Sequence, residues 1–374
     1  MMKKIIITSI IFIFLFEAIS FISTKLNLLI YNNDPNYIHS FGNKWRTEVD
    51  PWGSWHKPNY ADKHSSACFE VSYKSNNIGA RDEIDYQVDD EQNSIILLGD
   101  SFAEGYGVNF ENTFKQRLEN KIQNKKVLNF GSAGHFGPLQ AQILYNDLAS
   151  KYKHDELIYL FFPYNDFRDN DWDYWKTKVR KFRNRPYFLK TSDKNEYEVY
   201  YPNNKTNTLL LKIKNFIFND FQGFLLKYTY SANTLRTINY IYSNYNLSET
   251  RNQKNNKLNQ NFSYNINNQN SVLGSIYSIN KIFSANNYLK KKIIVIIPTL
   301  KDIKHTQYDK SYKELLWYKE LKNISEKNNI FLIDLADYVD EDRYIKMIYS
   351  CDMHWNPEGH EFVADLIFDK YYSN

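Results

Sequence analysis

The chain has 374 residues, 43% of them hydrophobic and 17% aromatic, enough to bury a sizeable core as one large domain or one domain with a substantial insertion, and this excludes disorder throughout. Its 47 Lys and Arg stand against 43 acidic residues. The resulting +4 is spread along the sequence without the basic stripe that a nucleic-acid binder needs, so no nucleic-acid partner is expected.

The first 30 residues read as an address. Lys3 and Lys4 precede an apolar stretch over positions 5–22, broken only by Thr8, Ser9, Glu17 and Ser20; a membrane-spanning helix needs about 20 mostly apolar residues. One reading is an uncleaved signal anchor whose two lysines stay inside. The other is a signal peptide with its apolar core at 10–16, cleaved beside the small residues Ala18 and Ser20. Apolar residues continue at Phe21 and Ile22 and return at 28–30, which favours the anchor. Either reading exports the remainder, so the membrane is an expected partner and the main domain is expected to be extracytoplasmic, or secreted if the segment is cleaved. Cys68 and Cys351 are the only cysteines; an oxidising compartment permits one bridge, but they can also be two unrelated buried thiols, the reading favoured by sequence.

Residues 31–92 are polar and aromatic, with turn signals at Asp50-Pro51-Trp52-Gly53 and Asn77-Ile78-Gly79, and read as an irregular extension. Short β-branched runs then alternate with amphipathic segments. Strands are predicted at 94–98, 126–130, 157–162, 293–297 and 330–335, most of them continuously apolar as strands buried on both faces are. Helices are predicted at 112–122, 138–148, 272–289 and 308–327. The pattern predicts an α/β fold, a three-layer α/β/α flavodoxin-like sandwich around a parallel sheet, with its core in 93–165 and 271–374. Residues 166–270 interrupt it: a hairpin over 185–202 turning at 193–195, an aromatic helical stretch over 209–242, and an Asn-rich linker over 244–270.

Four segments carry candidate chemistry, each at the end of a predicted strand or before the last helix. The first strand runs into Gly99-Asp100-Ser101. A Gly-Asp-Ser string arises by chance in on the order of a tenth of chains this long. Its position at the carboxyl edge of a parallel strand, where open α/β sheets bind ligands, is more informative than the triplet. The second strand ends in Gly131-Ser132-Ala133-Gly134, where glycine lets backbone amides approach a substrate, although a plain tight turn reads the same. The third ends in Pro163-Tyr164-Asn165-Asp166, which offers a side-chain amide or simply a helix cap. Near the end of the chain stands Cys351-Asp352-Met353-His354-Trp355-Asn356-Pro357. Residues i and i+2 of an extended segment face one side, so Asp352 lies beside His354; a carboxylate on one imidazole nitrogen leaves the other free to take a proton from a serine. Glu358 and His360 raise a metal-site alternative, but His-Glu-x-x-His spacing is absent, and neither metal nor cofactor is expected. Glu104 and Arg168 read as surface salt-bridging residues.

Together the four segments resemble the blocks of the SGNH/GDSL family, in the order Ser, Gly, Asn, His, over about 94–367 without the insertion. The resemblance implies that Ser101 is a nucleophile, that Asp352 and His354 supply its base, and that Gly134 and Asn165 join the Ser101 amide in an oxyanion hole. It departs from the family in having Pro163 where a Gly is usual and Asp and His two apart instead of three. The Asp-x-His-Trp segment is similar to that of alginate-type O-acetyltransferases, and Asn77-Ile78-Gly79-Ala80-Arg81-Asp82 to the lead-in of membrane-anchored members. The expected activity is that of a serine esterase on small-molecule or polysaccharide esters, with O-acetyl transfer and a catalytically silent domain as alternatives. The insertion, with Trp172 and Trp175, reads as a lid or as a packing subdomain.

Overall fold

The computed structural model describes residues 2–26, 28, 45–66, 68–88, 90, 93–176, 185–190, 197–202, 224–225, 228–235, 238, 269–286, 288–308, 312–350 and 352–373. The chain divides into two compact units: 1–41 with 63–71 and 205–260, and 42–62 with 72–204 and 261–374.

In the smaller unit, helix α1 (Met2–Lys25) is the one helix among the described residues long and apolar enough to cross a membrane, a property that a signal sequence shares. At about 1.5 Å per residue its 24 residues reach the thickness of a bilayer core. Glu17, the acid that interrupts the apolar run, accepts hydrogen bonds from the backbone N–H groups of Tyr230 and Ser231 at 2.7 and 2.9 Å. A polar side chain on such a helix is tolerated when it is partnered in this way. Residues 230–235 are helical, in accord with part of the aromatic helical stretch expected over 209–242. Most of that stretch, the hairpin turn at 193–195 and nearly all of the Asn-rich segment lie outside the described residues.

The described part of the extension, from 45 onward, is built of regular strands where an irregular segment was expected. Strands β1 (Arg46–Val49) and β2 (Gly53–His56) pair antiparallel, and β3 (Ala61–Ser65) and β4 (Glu70–Lys74) form a second two-stranded sheet. The Pro-Trp-Gly turn signal is thus the hairpin turn between β1 and β2. Cys68 is disulfide-bonded; Cys351, the other cysteine of the sequence, lies outside the described residues.

The larger unit is built on β5 (Ser94–Gly99), β6 (Val127–Asn129), β7 (His154–Phe161), β10 (Lys291–Ile296) and β11 (Phe331–Asp334), with the short helix α6 (Trp172–Trp175) and the hairpin β8 (Tyr187–Lys190) and β9 (Tyr197–Tyr200) in the insertion. The five strands are parallel, in spatial order β11-β10-β7-β5-β6. Numbered along the chain, that is 2-1-3-4-5, the flavodoxin-like order, whose ligands sit where the order reverses, at the carboxyl ends of the first and third strands. Here those are β5 and β7.

Alternate residues of each strand face opposite cores, as the period of two requires. Ile96, Leu98, Tyr159 and Ile294 pack with Leu144 of α4 (Pro138–Asp147), Ile279 of α7 (Gln269–Ser284) and Trp317 of α9 (Leu316–Lys327). Ile95, Leu97, Ile158 and Val295 pack with Phe114 and Leu118 of α3 (Phe114–Ile122), Met347 of α10 (Glu341–Met347) and Val363 of α11 (Pro357–Tyr371). Helices therefore cover both faces of the sheet. The helix predicted over 308–327 begins only at Leu316, and a separate helix, α8 (Leu300–Tyr308), precedes it. Thr299 and Asp302 start α8 by exchanging side-chain and backbone hydrogen bonds at 2.9 and 3.2 Å, a capping-box arrangement.

Candidate active site

The carboxyl end of β5 turns sharply. Asp100 caps the four-residue helix α2 (Ser101–Glu104), its carboxylate accepting the Phe102 N–H at 3.0 Å, so Ser101 is the first helical residue. The end of β6 reaches the same place. A Cβ on Gly131 would stand 2.4 Å from the Glu104 nitrogen, so only glycine allows this loop to lie against α2, and Gly134, with φ of 95°, turns the chain at the cleft. Beyond β7, α5 (Pro163–Asp169) begins with Pro163 in its first turn, where a missing N–H is harmless, and presents Asn165.

His354 is held by a tight loop. Its carbonyl accepts the Tyr349 N–H at 3.0 Å, Ile348 and Trp355 form an antiparallel bridge, and Asn356 caps α11 through the Gly359 N–H at 3.1 Å. Trp355 is fully buried, its ring 4.8 Å from that of Phe102, so the residue beside His354 is wedged against the helix that carries Ser101.

These elements bring together what the sequence separates by 253 positions: the Ser101 Oγ and the His354 Nε2 are 2.7 Å apart. On the other side of the ring, the His354 Nδ1 is hydrogen-bonded to the Asp352 Oδ1, which also accepts the His354 backbone N–H at 3.1 Å. Burial alone would lower the His354 pKa, but the Asp352 charge and hydrogen bond outweigh it and hold it above the ordinary 6.5. Burial pushes the Asp352 carboxyl up, and His354 overcomes this and draws it down. Such a chain can carry a proton from the serine hydroxyl to the imidazole while the carboxylate steadies the resulting cation.

Ser101, Gly134, Asn165 and His354 line one cleft of about 370 Å3 with Tyr106, His135, Phe162, Tyr164, Arg168, Asp169, Tyr174, Trp175 and Met353. The Asn165 amide nitrogen donates to Asp100 at 2.9 Å and to Asp169 at 3.3 Å. The longer contact is the weaker, so that N–H is the one an incoming oxyanion could take over. Burial, against the pull of the Asn165 and Phe102 donors, pushes the Asp100 carboxyl up to about 6. Asp166 does not face the cleft as a donor; it is buried and accepts the Phe162 N–H at 2.9 Å. His360, the metal alternative, is buried with its Nδ1 accepting the Phe114 N–H at 3.1 Å.

Glu104 is not a surface residue. It is fully buried, paired with the Arg46 Nη2 at 2.8 Å and the His56 Nε2 at 3.0 Å, and accepts the Ala133 N–H. Burial raises its pKa, but Arg46 and His56 more than reverse this and hold it well below the carboxylate range. Arg46 also donates to the Ala133 carbonyl at 2.9 Å, so the β1–β2 hairpin and α2 grip the peptide before Gly134 from both ends. Arg168 is not a surface ion pair either: it lines the cleft and stacks on tyrosine rings.

No family model matches the chain, and no curated protein matches it. Among solved structures it is similar to a member of the lipolytic protein G-D-S-L family from Veillonella parvula DSM 2008, at 12% identity over 75% of this chain and 99% of that one, with a TM-score of 0.37. It is also similar to LAE5, an alpha/beta hydrolase enzyme from the metagenome of Lake Arreo, Spain, at 10% identity over 74% of this chain and 94% of that one, with a TM-score of 0.38. Likeness of this size carries no argument about chemistry, which rests on the side chains.

Proposed function

We propose that the chain is an SGNH/GDSL-type serine esterase that hydrolyses ester groups, O-acetyl groups of cell-surface polysaccharide foremost, through an acyl-enzyme on Ser101. The carrying observation is the Asp352–His354–Ser101 hydrogen-bonded chain at the carboxyl edge of the sheet. In this reading His354 takes the Ser101 proton as the hydroxyl attacks the ester carbonyl, and returns it to the leaving alcohol. Water then resolves the acyl-enzyme. The N–H groups of Ser101 and Gly134 and the Asn165 amide stabilise the oxyanion. The apolar helix α1 and the disulfide at Cys68 support an exported site, anchored by α1. The Asp-x-His-Trp segment favours a second outcome, in which a sugar hydroxyl replaces water and the enzyme is an O-acetyltransferase; glycan acceptors added to the acyl-enzyme separate the two by product.

The proposal predicts a pH profile. His354 acts as a base only when unprotonated, so kcat/KM falls as the pH drops through a folded-state pKa held above 6.5. Asp100, at about 6, adds a second acid-side loss by weakening its hold on Asn165. Turnover of 4-nitrophenyl acetate from about pH 5 to about pH 9 should therefore show an acid limb with its midpoint above about 6.5; a flat profile contradicts His354 as the base. Asn165→Ala should lower kcat about 100-fold, as loss of one oxyanion donor does, with the thermal transition retained. Equal rates in mutant and wild type remove Asn165 from the oxyanion hole.

A further inference from the structure

One wall of the cleft has no part in the ester chemistry. Tyr164, Arg168, Tyr174 and Trp175 line it, and the Arg168 guanidinium lies 4.4 Å from the Tyr164 ring and 5.8 Å from the Tyr174 ring. Among the described residues no carboxylate pairs with Arg168. The neighbouring acid, Asp169, is engaged by the His135 Nδ1 at 3.3 Å and by Asn165. A second guanidinium backs the same wall. Arg185 is buried, lies 4.5 Å over the Trp175 ring, and donates to the His135 carbonyl and the Tyr187 hydroxyl, while its Nη2 has no hydrogen-bond partner among the described residues. Among the described residues neither guanidinium has a carboxylate partner, and of the two only Arg168, half-buried, lines the cleft. A half-buried guanidinium stacked on aromatic rings without a carboxylate partner keeps its N–H donors for a negative group of a ligand.

We propose that Tyr164, Arg168, Tyr174 and Trp175 form a subsite for an anionic group of the substrate, so that the preferred esters are those of acidic carbohydrates, bearing a carboxylate or a phosphate. The inference rests on the esterase reading of Ser101. The guanidinium fork pairs with either oxyanion through two parallel hydrogen bonds, and its stacking on tyrosine already restricts its rotamers, so little freedom is lost on binding. The aromatic faces suit the C–H face of a sugar ring. Arg168 follows Asn165 by three residues on α5, which places the two side chains on one face, with Cβ atoms about 5–6 Å apart. One helix thus sets the spacing between the ester carbonyl and the anion.

The test uses the full chain in detergent and three acetylated sugars: neutral, uronate and sugar phosphate. The wild type should prefer the charged esters through a lower KM. The ratio of charged to neutral kcat/KM should fall about 10-fold to 100-fold in Arg168→Gln, the range of a charge-assisted hydrogen bond, and recover in part in Arg168→Lys. The larger fall, on uronate or on phosphate, identifies the anion. A ratio unchanged by Arg168→Gln, or no wild-type preference, overturns the subsite. Turnover of 4-nitrophenyl acetate by the wild type reports separately on the esterase reading. If it is absent, calorimetric binding of unesterified uronate and phosphate oligosaccharides to wild type and Arg168→Gln still decides the subsite, since tighter binding to wild type supports it and equal binding refutes it.

Discussion

Ser101→Ala in the full chain is expected to abolish both the release of acetate from 4-nitrophenyl acetate and labelling by a fluorophosphonate, with the fold intact. The nucleophile and its base act as a unit, and losing either in a serine hydrolase lowers kcat about 10^6-fold. The change removes one buried hydroxyl whose described partner is the His354 Nε2, and leaves the Asp100 cap of α2 in place. The thermal transition should move little. His354→Ala should match it in rate loss, and the double mutant should be no worse than either single one, because in the proposed mechanism the two side chains share one proton transfer. Wild-type protein that neither turns over the ester nor reacts with the fluorophosphonate would instead favour a silent domain, and the 2.7 Å contact would then be a structural hydrogen bond.

The sheet was legible because most of its strands are built on near-continuous apolar runs, a signal that needs no tertiary information. The short blocks at the strand ends were legible for a related reason. Glycine at 131 and 134 and the Asp-x-His spacing report local backbone needs, and the fold order then carries them to one edge. Glu104 was misread because its partners lie 58 and 48 residues upstream, in a segment whose polar and aromatic composition hides two hairpins. A signal was present: Trp45-Arg46 and Trp55-His56 each set a large aromatic beside a basic residue, and those tryptophans are buried. Arg168 was misread because a sequence does not show which carboxylates are already engaged. Helix α8 was not predicted although the Thr299/Asp302 cap that starts it was readable from spacing.

Glu104 carries the second large effect. Its carboxylate binds Arg46, His56 and the Ala133 N–H, and it stands three residues after Ser101 on the same helix. Truncation in Glu104→Ala leaves Arg46 facing an empty, mostly buried space, which typically costs about 3–5 kcal/mol. The more informative change is Glu104→Gln, which keeps the volume but can accept at only one of its two ends. It must give up either Arg46 or the Ala133 N–H, so the peptide leading to Gly134 loses one of its two grips. If that peptide sets the oxyanion donor, kcat should fall about 10-fold or more with KM little changed, as expected for an interaction made in the transition state. A purely structural Glu104 would lower the melting temperature and leave kcat per folded molecule at the wild-type value. The pH dependence supplies an independent check. A carboxylate whose folded-state pKa is depressed stabilises the protein above its unfolded pKa, about 4.3, and that contribution is lost as the pH falls toward the folded value. The stability gap between wild type and Glu104→Gln should accordingly be full at neutral pH and narrow below about pH 4. A gap that stays constant across that range would mean that the ionised carboxylate is not what holds the loop.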